Sequence, residues 1–202
     1  ISRSRPTPSS SIGSRLFFGG WCECKVRGRL GEGPNGVKEI TLLGRVLRWT
    51  PNSIEFEADP KHLRILVEYF QLQSARPAAT AGAKIDMDVE EGAANEKLGA
   101  QESKAFRALA ARANYLAQDR PDMAFAAKEV CRDMSAPTEQ SWGRLKRMVR
   151  FLLGTPALRV IYKVGPLPRV LDVPVDSDWA GCHRTRRSTS GGMFLLGVCM
   201  IK

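Results

Sequence analysis

The chain has 202 residues, 43% of them hydrophobic and 26% charged, with 31 basic residues against 21 acidic ones and a formal net charge of +10. That is enough to bury the core of one domain or two small ones, while no run approaches the ~18 apolar residues of a membrane span, so no membrane partner is expected. Five cysteines (Cys22, Cys24, Cys131, Cys182, Cys199) and two histidines (His62, His183) show neither disulfide-framework nor zinc-finger spacing, which leaves reduced thiols in an intracellular, cytoplasmic or nuclear protein as the expectation.

Residues 1 to 20 are rich in Ser, Arg and Pro and read as a disordered leader. A β-rich unit follows: Trp21 to Val26, a Gly/Pro turn from Gly28 to Gly36, a strand-like run from Glu39 to Trp49, a turn at Pro51-Asn52, and Ile54 to Glu57. Within it, Gly31-Glu32-Gly33-Pro34-Asn35-Gly36 matches the dinucleotide pattern in letters. That chemistry needs a helix N-terminus directly afterwards to hold a pyrophosphate, and a strand-like run follows instead, so a hairpin turn is expected. Asp59-Pro60 offers an N-cap and a Pro at the first helical position for a helix through about Phe70, with Leu63, Leu66, Val67 and Phe70 on one face. Residues 74 to 100, rich in Ala, Pro, Gly and Glu, read as a linker. Asp86, Asp88, Glu90 and Glu91 lack the glycine-centred loop of a calcium site and read as solvated charges.

The middle of the chain reads as helical. Phe106, Leu109, Ala110, Ala113 and Leu116 repeat at the spacing of one buried face, and Asp119-Arg120-Pro121 restarts a helix with Met123, Ala126, Ala127, Val130, Cys131 and Met134 inward. A third helix starts at Thr138, buries Trp142, Leu145, Val149 and Leu152, and ends at Gly154 before Pro156. Val160 to Val164 reads as a strand and Gly165 to Pro168 as a turn. Val173 to Asp178 reads as a short strand whose hairpin partner is the Gly191 to Leu196 run.

From residue 141 onward, eleven basic residues stand against three acids, Asp172, Asp176 and Asp178, so +8 of the net +10 lies there. Arg144, Lys146, Arg147 and Arg150 on the third helix, and Arg184, Arg186 and Arg187 near the C-terminus, are therefore candidate phosphate contacts, since neutralising phosphates releases counterions whatever the base sequence. Trp142 and Trp179 could stack on bases, although aromatics at such spacing more often belong to a core.

Several runs carry a family resemblance. Val175-Asp176-Ser177-Asp178-Trp179-Ala180-Gly181, then Arg186-Arg187-Ser188-Thr189-Ser190-Gly191 and the apolar Met193 to Leu196, resemble the opening of the ribonuclease H domain in Pol polyproteins of copia-type LTR retrotransposons, with Val175 in place of a Ser and Ser177 in place of an Ala. In the same order upstream, Tyr115 to Ala126 with its Asp119-Arg120-Pro121-Asp122, then Pro137-Thr138-Glu139 with Trp142, and Lys146 to Thr155 are similar to that family. Gly28 to Gly31, Leu43 to Trp49 and Glu57 to His62 resemble the end of its reverse transcriptase less specifically.

The resemblance implies a mixed α+β chain in five parts: the leader 1–20, the end of a polymerase palm-like unit with its β-hairpin and helix at 21–73, the linker 74–100, a helical thumb or connection at 101–156, and the truncated first strands of a ribonuclease H-like sheet at 157–202. It implies Asp176 as the first Mg²⁺-ligand carboxylate of an intact enzyme, with Asp178 as the alternative. No two aspartates are adjacent, so the polymerase Asp-Asp signature is missing, and no acid follows Asp178 to complete a two-metal site. The expectation is a Pol fragment that handles an RNA:DNA hybrid or DNA duplex beside the remainder of the polyprotein and needs no cofactor alone, being catalytically silent. The alternatives are a non-enzymatic basic nucleic-acid-binding module and a decayed pseudogene product, and the oligomeric state stays open.

Overall fold

Helix starts in this chain are set by groups placed just ahead of each first apolar turn. Asp59 caps α1 (Pro60–Tyr69), its Oδ1 accepting from the Lys61 N–H at 2.8 Å, while Pro60 has no N–H to leave unpaired. Glu102 reaches back to the Gly99 N–H at 3.1 Å at the start of α2 (Ala100–Ala117). Thr138 Oγ1 accepts from the Ser141 N–H at 3.3 Å, and Ser141 Oγ accepts from the Thr138 N–H at 3.2 Å, which opens α4 (Glu139–Gly154). Between α2 and α4, Pro121 begins a single 3-10 turn, Pro121–Met123, that runs straight into α3 (Ala124–Arg132).

The computed structural model describes residues 15–18, 22–25, 28–82, 96–166, 168–182 and 185–201. Most of the leader and the acidic quartet Asp86, Asp88, Glu90 and Glu91 lie outside them. The chain divides into two compact units, one made of Leu42–Val46 and Glu57–Arg159, the other of the stretches before Leu42, from Leu47 to Phe56, and after Arg159.

The first of these units holds helices α1 to α4. Most of the helical periodicity is met: Leu66 of α1, Phe106, Leu109, Ala110, Ala113 and Leu116 of α2, Met123, Ala126, Ala127 and Val130, and Leu145, Met148, Val149 and Leu152 of α4 are all buried in one core, with Leu63, Val67, Phe70 and Met134 half-buried against it. Trp142 is half-buried, with ring centroids of Phe70 at 5.4 Å and Tyr69 at 6.1 Å, so its core reading holds. Cys131 is also half-buried, which pushes its thiol pKa up. Among the described residues one charged side chain is buried in this unit: Arg120, 2% exposed, donates from Nε and Nη2 to the two Asp122 oxygens at 2.9 and 2.7 Å, and from Nη2 to Thr155 Oγ1 at 3.0 Å. The α2–α3 connection is thereby pinned to the residue just beyond α4. Nearby, Arg45 Nε donates to Asp119 at 2.6 Å, and this bond holds the guanidinium pKa above its ordinary value.

Sheets make up the rest. A four-stranded sheet runs in the order β5 (Glu39–Leu42), β6 (Arg45–Thr50), β7 (Ser53–Glu57), β8 (Arg159–Lys163). The run expected as one strand from Glu39 to Trp49 is broken at Leu43-Gly44, where φ is +53° and +82°. Two consecutive positive φ values make the tight turn of a two-residue hairpin, and the leucine at its first position hid it from a reading by turn residues. Ahead of it, β1 (Arg15–Phe18) pairs antiparallel with β2 (Cys22–Lys25). The glycine-rich run does make a turn, but β3 (Arg29–Leu30) and β4 (Gly36–Val37) pair parallel, not as the expected hairpin. The loop doubles back through Gly31 and Gly33, with φ of +146° and +109°.

At the C-terminal end, β9 (Leu171–Asp172), β12 (Leu195–Leu196) and β13 (Cys199–Met200) form a sheet in the order β13-β12-β9, while among the described residues β10 (Val175–Ser177) pairs only with β11 (Ser190–Gly192). The Gly191 to Leu196 run is thus shared between two small sheets, its start beside β10 and its end beside β9. The architecture is α+β.

Leu145→Ala, which empties a fully buried position of α4, is expected to cost about 2–5 kcal/mol of unfolding free energy, read from urea denaturation. Arg120→Ala is expected to cost on the order of 2–4 kcal/mol by the same measurement, and Asp122→Asn at least as much, because the latter leaves a 2% exposed guanidinium without its counter-charge, whereas the 22% exposed Asp122 side chain can be rehydrated when Arg120 is removed.

Candidate nucleic-acid interface

The basic helix is less free than its sequence suggests. Amphipathic burial turns Leu145, Met148, Val149 and Leu152 inward, so the intervening arginines lie along the helix flanks, where neighbouring chain can reach them. Arg144 Nη1 donates to Asp133 at 3.1 Å and Nη2 to Gln140 at 2.9 Å. Arg147 donates to the Gly82 carbonyl at 3.1 Å and to Thr80 Oγ1 at 3.0 Å, and Arg150 Nε to the Arg76 carbonyl at 2.9 Å. With the Ala78 N–H donating to the Arg150 carbonyl at 3.2 Å, these bonds lay residues 76–82 along α4. Lys146 is exposed and has no hydrogen-bond or ion-pair partner among the described residues. Sequence reasoning missed these ties because backbone carbonyls carry no residue signature, and because Asp133, the acid that balances Arg144, precedes the helix.

The carboxylates lie in the other unit. Asp176 stands on β10 opposite Gly191 of β11, exposed, and its Oδ1 accepts from the Ser177 N–H at 2.9 Å. Asp176 thus lies on a two-stranded ribbon, with β11 as the partner of β10. Asp178 falls just past the strand and is committed to the backbone: its N–H donates to the Thr189 carbonyl at 3.1 Å while its Oδ1 accepts from the Thr189 N–H at 2.5 Å. A Cβ at Gly181 would collide with the same carboxylate, so that glycine makes room for it.

Two-metal chemistry needs several carboxylates converging on each ion. Among the described residues no three His, Cys, Asp or Glu side chains group closely enough to hold a metal. The described residues do not fit a two-metal Mg²⁺ site, because Asp176 is exposed with no cluster of acids around it and Asp178 is tied to Thr189.

Beyond the ribbon, Arg186 and Arg187 are exposed, with no ion-pair or hydrogen-bond partner for their side chains among the described residues. Arg184 lies outside the described residues. Trp179, for which the sequence favoured a core position, is 94% exposed. It follows a strand that is exposed along its whole length, so among the described residues there is no buried layer for the indole to pack into. No helix among the described residues is long and apolar enough to cross a membrane.

No family model and no solved structure matches the chain. Among curated proteins it is 39% identical over 97 residues to the uncharacterized mitochondrial protein AtMg00810 of Arabidopsis thaliana, covering 48% of this chain and 40% of that protein. It is 36% identical over 92 residues to each of the retrovirus-related Pol polyproteins from transposons RE2 and RE1 of the same plant, covering 46% of this chain and 6% of each polyprotein. The chain therefore spans well under half the length of these relatives. It is homologous, through nearly half of its residues, to retrovirus-related Pol polyproteins of transposons.

Proposed function

We propose that the chain is the segment of a copia-type Pol polyprotein that runs from the end of the reverse transcriptase palm, through a helical thumb or connection, into the first strands of ribonuclease H. Its role there is to hold the RNA:DNA hybrid or DNA duplex, with no bond cleavage of its own. The observation that carries this reading is the contrast between its charges. The guanidinium groups of Arg186 and Arg187 and the ammonium group of Lys146 are open to a phosphate backbone, whereas of the two motif aspartates Asp178 is tied to Thr189 and Asp176 alone is open to a metal.

Binding of this kind is sequence-independent, because Lys and Arg displace condensed counterions wherever the backbone passes. Lys146 on α4 and the Arg186-Arg187 pair are separate contacts, each sufficient for one or two phosphates. Arg144, Arg147 and Arg150 support α4 and its neighbouring segment first, and reach a ligand only if those bonds are given up. Asp176 is the position in this chain that descends from a metal ligand.

Affinity for an RNA:DNA hybrid should fall steeply with salt, and Lys146→Gln should lessen the slope of log K against log salt by about 0.9, the share of one phosphate contact, as followed by anisotropy titration. In Mg²⁺ the purified chain and its Asp176→Asn variant should leave the RNA strand of the hybrid equally intact on a gel. Cleavage by the wild-type chain that disappears in Asp176→Asn would overturn the proposal. Binding with no counterpart in a metal-dependent activity of any longer Pol segment would favour the non-enzymatic basic module.

A further inference from the structure

The polypeptide around Trp179 is held far more tightly than an exposed surface loop needs to be. On its two sides, residues 178–182 and 185–189 are joined by backbone bonds from Asp178 N–H to Thr189 O at 3.1 Å, from Cys182 N–H to Arg187 O at 3.1 Å and from Arg186 N–H to Cys182 O at 2.7 Å. Side chains add the Asp178 carboxylate on the Thr189 N–H and Ser188 Oγ accepting from the Ala180 N–H at 3.1 Å. Two residues other than glycine adopt left-handed backbone here, Ala180 with φ of +51° and Arg186 with φ of +53°, one beside Trp179 and the other beside Arg187. Such backbone is disfavoured for residues with a Cβ and persists where the surroundings enforce it, most often where a side chain must be aimed.

The effect of this bracing is to display one indole and two guanidinium groups. Trp179 is bracketed by the 178–189 and 180–188 bonds, which places it across from Ser188, next to Arg187 in the chain. The bonds between the two sides keep the backbone of Arg187 close to that of Trp179. A flat ring 94% exposed on the same loop as cations with no partner among the described residues is the combination that recognises single-stranded nucleic acid, where the base stacks on the ring and the phosphates meet the arginines. A duplex offers no free base face to such a ring.

We propose that Trp179, with Arg186 and Arg187, forms a binding site for one unpaired nucleotide of a single strand, the ring stacking on the base and the arginines holding its flanking phosphates. The site rests on the nucleic-acid reading given above but asks for a different ligand form from the duplex proposed there. Its three residues lie in one unit and need nothing from α4.

The test uses the whole chain, titrated with a fluorescein-labelled dT12 and, separately, with a 12-base-pair RNA:DNA hybrid. Trp179→Ala should weaken dT12 binding roughly tenfold or more, within the range measured for loss of one stacked base, while Trp179→Phe keeps most of the affinity. The double change of Arg186→Gln and Arg187→Gln should reduce the salt slope for dT12 by about 1.4, two single-strand phosphates. Circular dichroism of each variant should match the wild-type spectrum, as expected for exposed positions. Unchanged dT12 affinity in Trp179→Ala, with hybrid binding intact, would overturn this site and leave the duplex reading standing. Failure to bind either ligand would overturn both.

Discussion

The helical unit depends on the burial of one face of α4. Leu145, Met148, Val149 and Leu152 are each 0% exposed, and they meet the inward residues of the other three helices in one core. A helix of this length is marginal alone in water, so that apolar stripe is what makes it a helix at all. Once the stripe is inward, the positions of the arginines follow from the 3.6-residue period. Arg147 and Arg150 lie three apart on one flank, and both find acceptors in residues 76–82. A cluster that looks like a phosphate grip in the sequence is here also the means by which the following or preceding chain is laid on a helix.

The two aspartates show how a motif can keep its letters while its chemistry changes owner. In the run from Val175 to Gly181, Asp176 and Asp178 are equivalent by strand alternation, and the residues alone leave their roles interchangeable. The structure separates them by what each oxygen does. Asp178 closes a ring with Thr189 through both its amide and its carboxylate, while Asp176 accepts only from its neighbour's amide and faces outward. The same ring stiffens the polypeptide that carries Trp179, so a residue that resembles part of a catalytic set serves here as a brace.

How much was legible in the sequence tracks how local the deciding physics is. Helix caps and buried faces involve residues within one or two turns, and Asp59, Pro60, Thr138 and the α2 stripe were read correctly because their partners are near in sequence. The turn at Leu43-Gly44 was not legible, since leucine is an uncommon bearer of positive φ. The burial of Arg120 was not legible either, because its partner Thr155 stands 35 residues away and nothing in the composition marks that pairing. For Trp179, spacing suggests a core, but a core requires a second layer. Among the described residues every buried hydrophobic lies between Ala58 and Leu152. The likeness to Pol polyproteins, by contrast, is legible without the third dimension, because it rests on residue types in sequence order.

The Arg120 pin has a consequence for how the helical unit comes apart. Ordinarily the last turn of a helix frays first, at little cost, because its final carbonyls are solvated. Here the hydroxyl of Thr155, which also donates to the Phe151 carbonyl at 3.3 Å, is held by a guanidinium that has almost no access to water. Unwinding the end of α4 would strip that cation of a partner inside the protein, so the helix end and the Asp119–Asp122 connection must loosen as one cooperative element. In amide-exchange terms, a terminus that should be among the quickest to exchange joins the slow-exchanging interior.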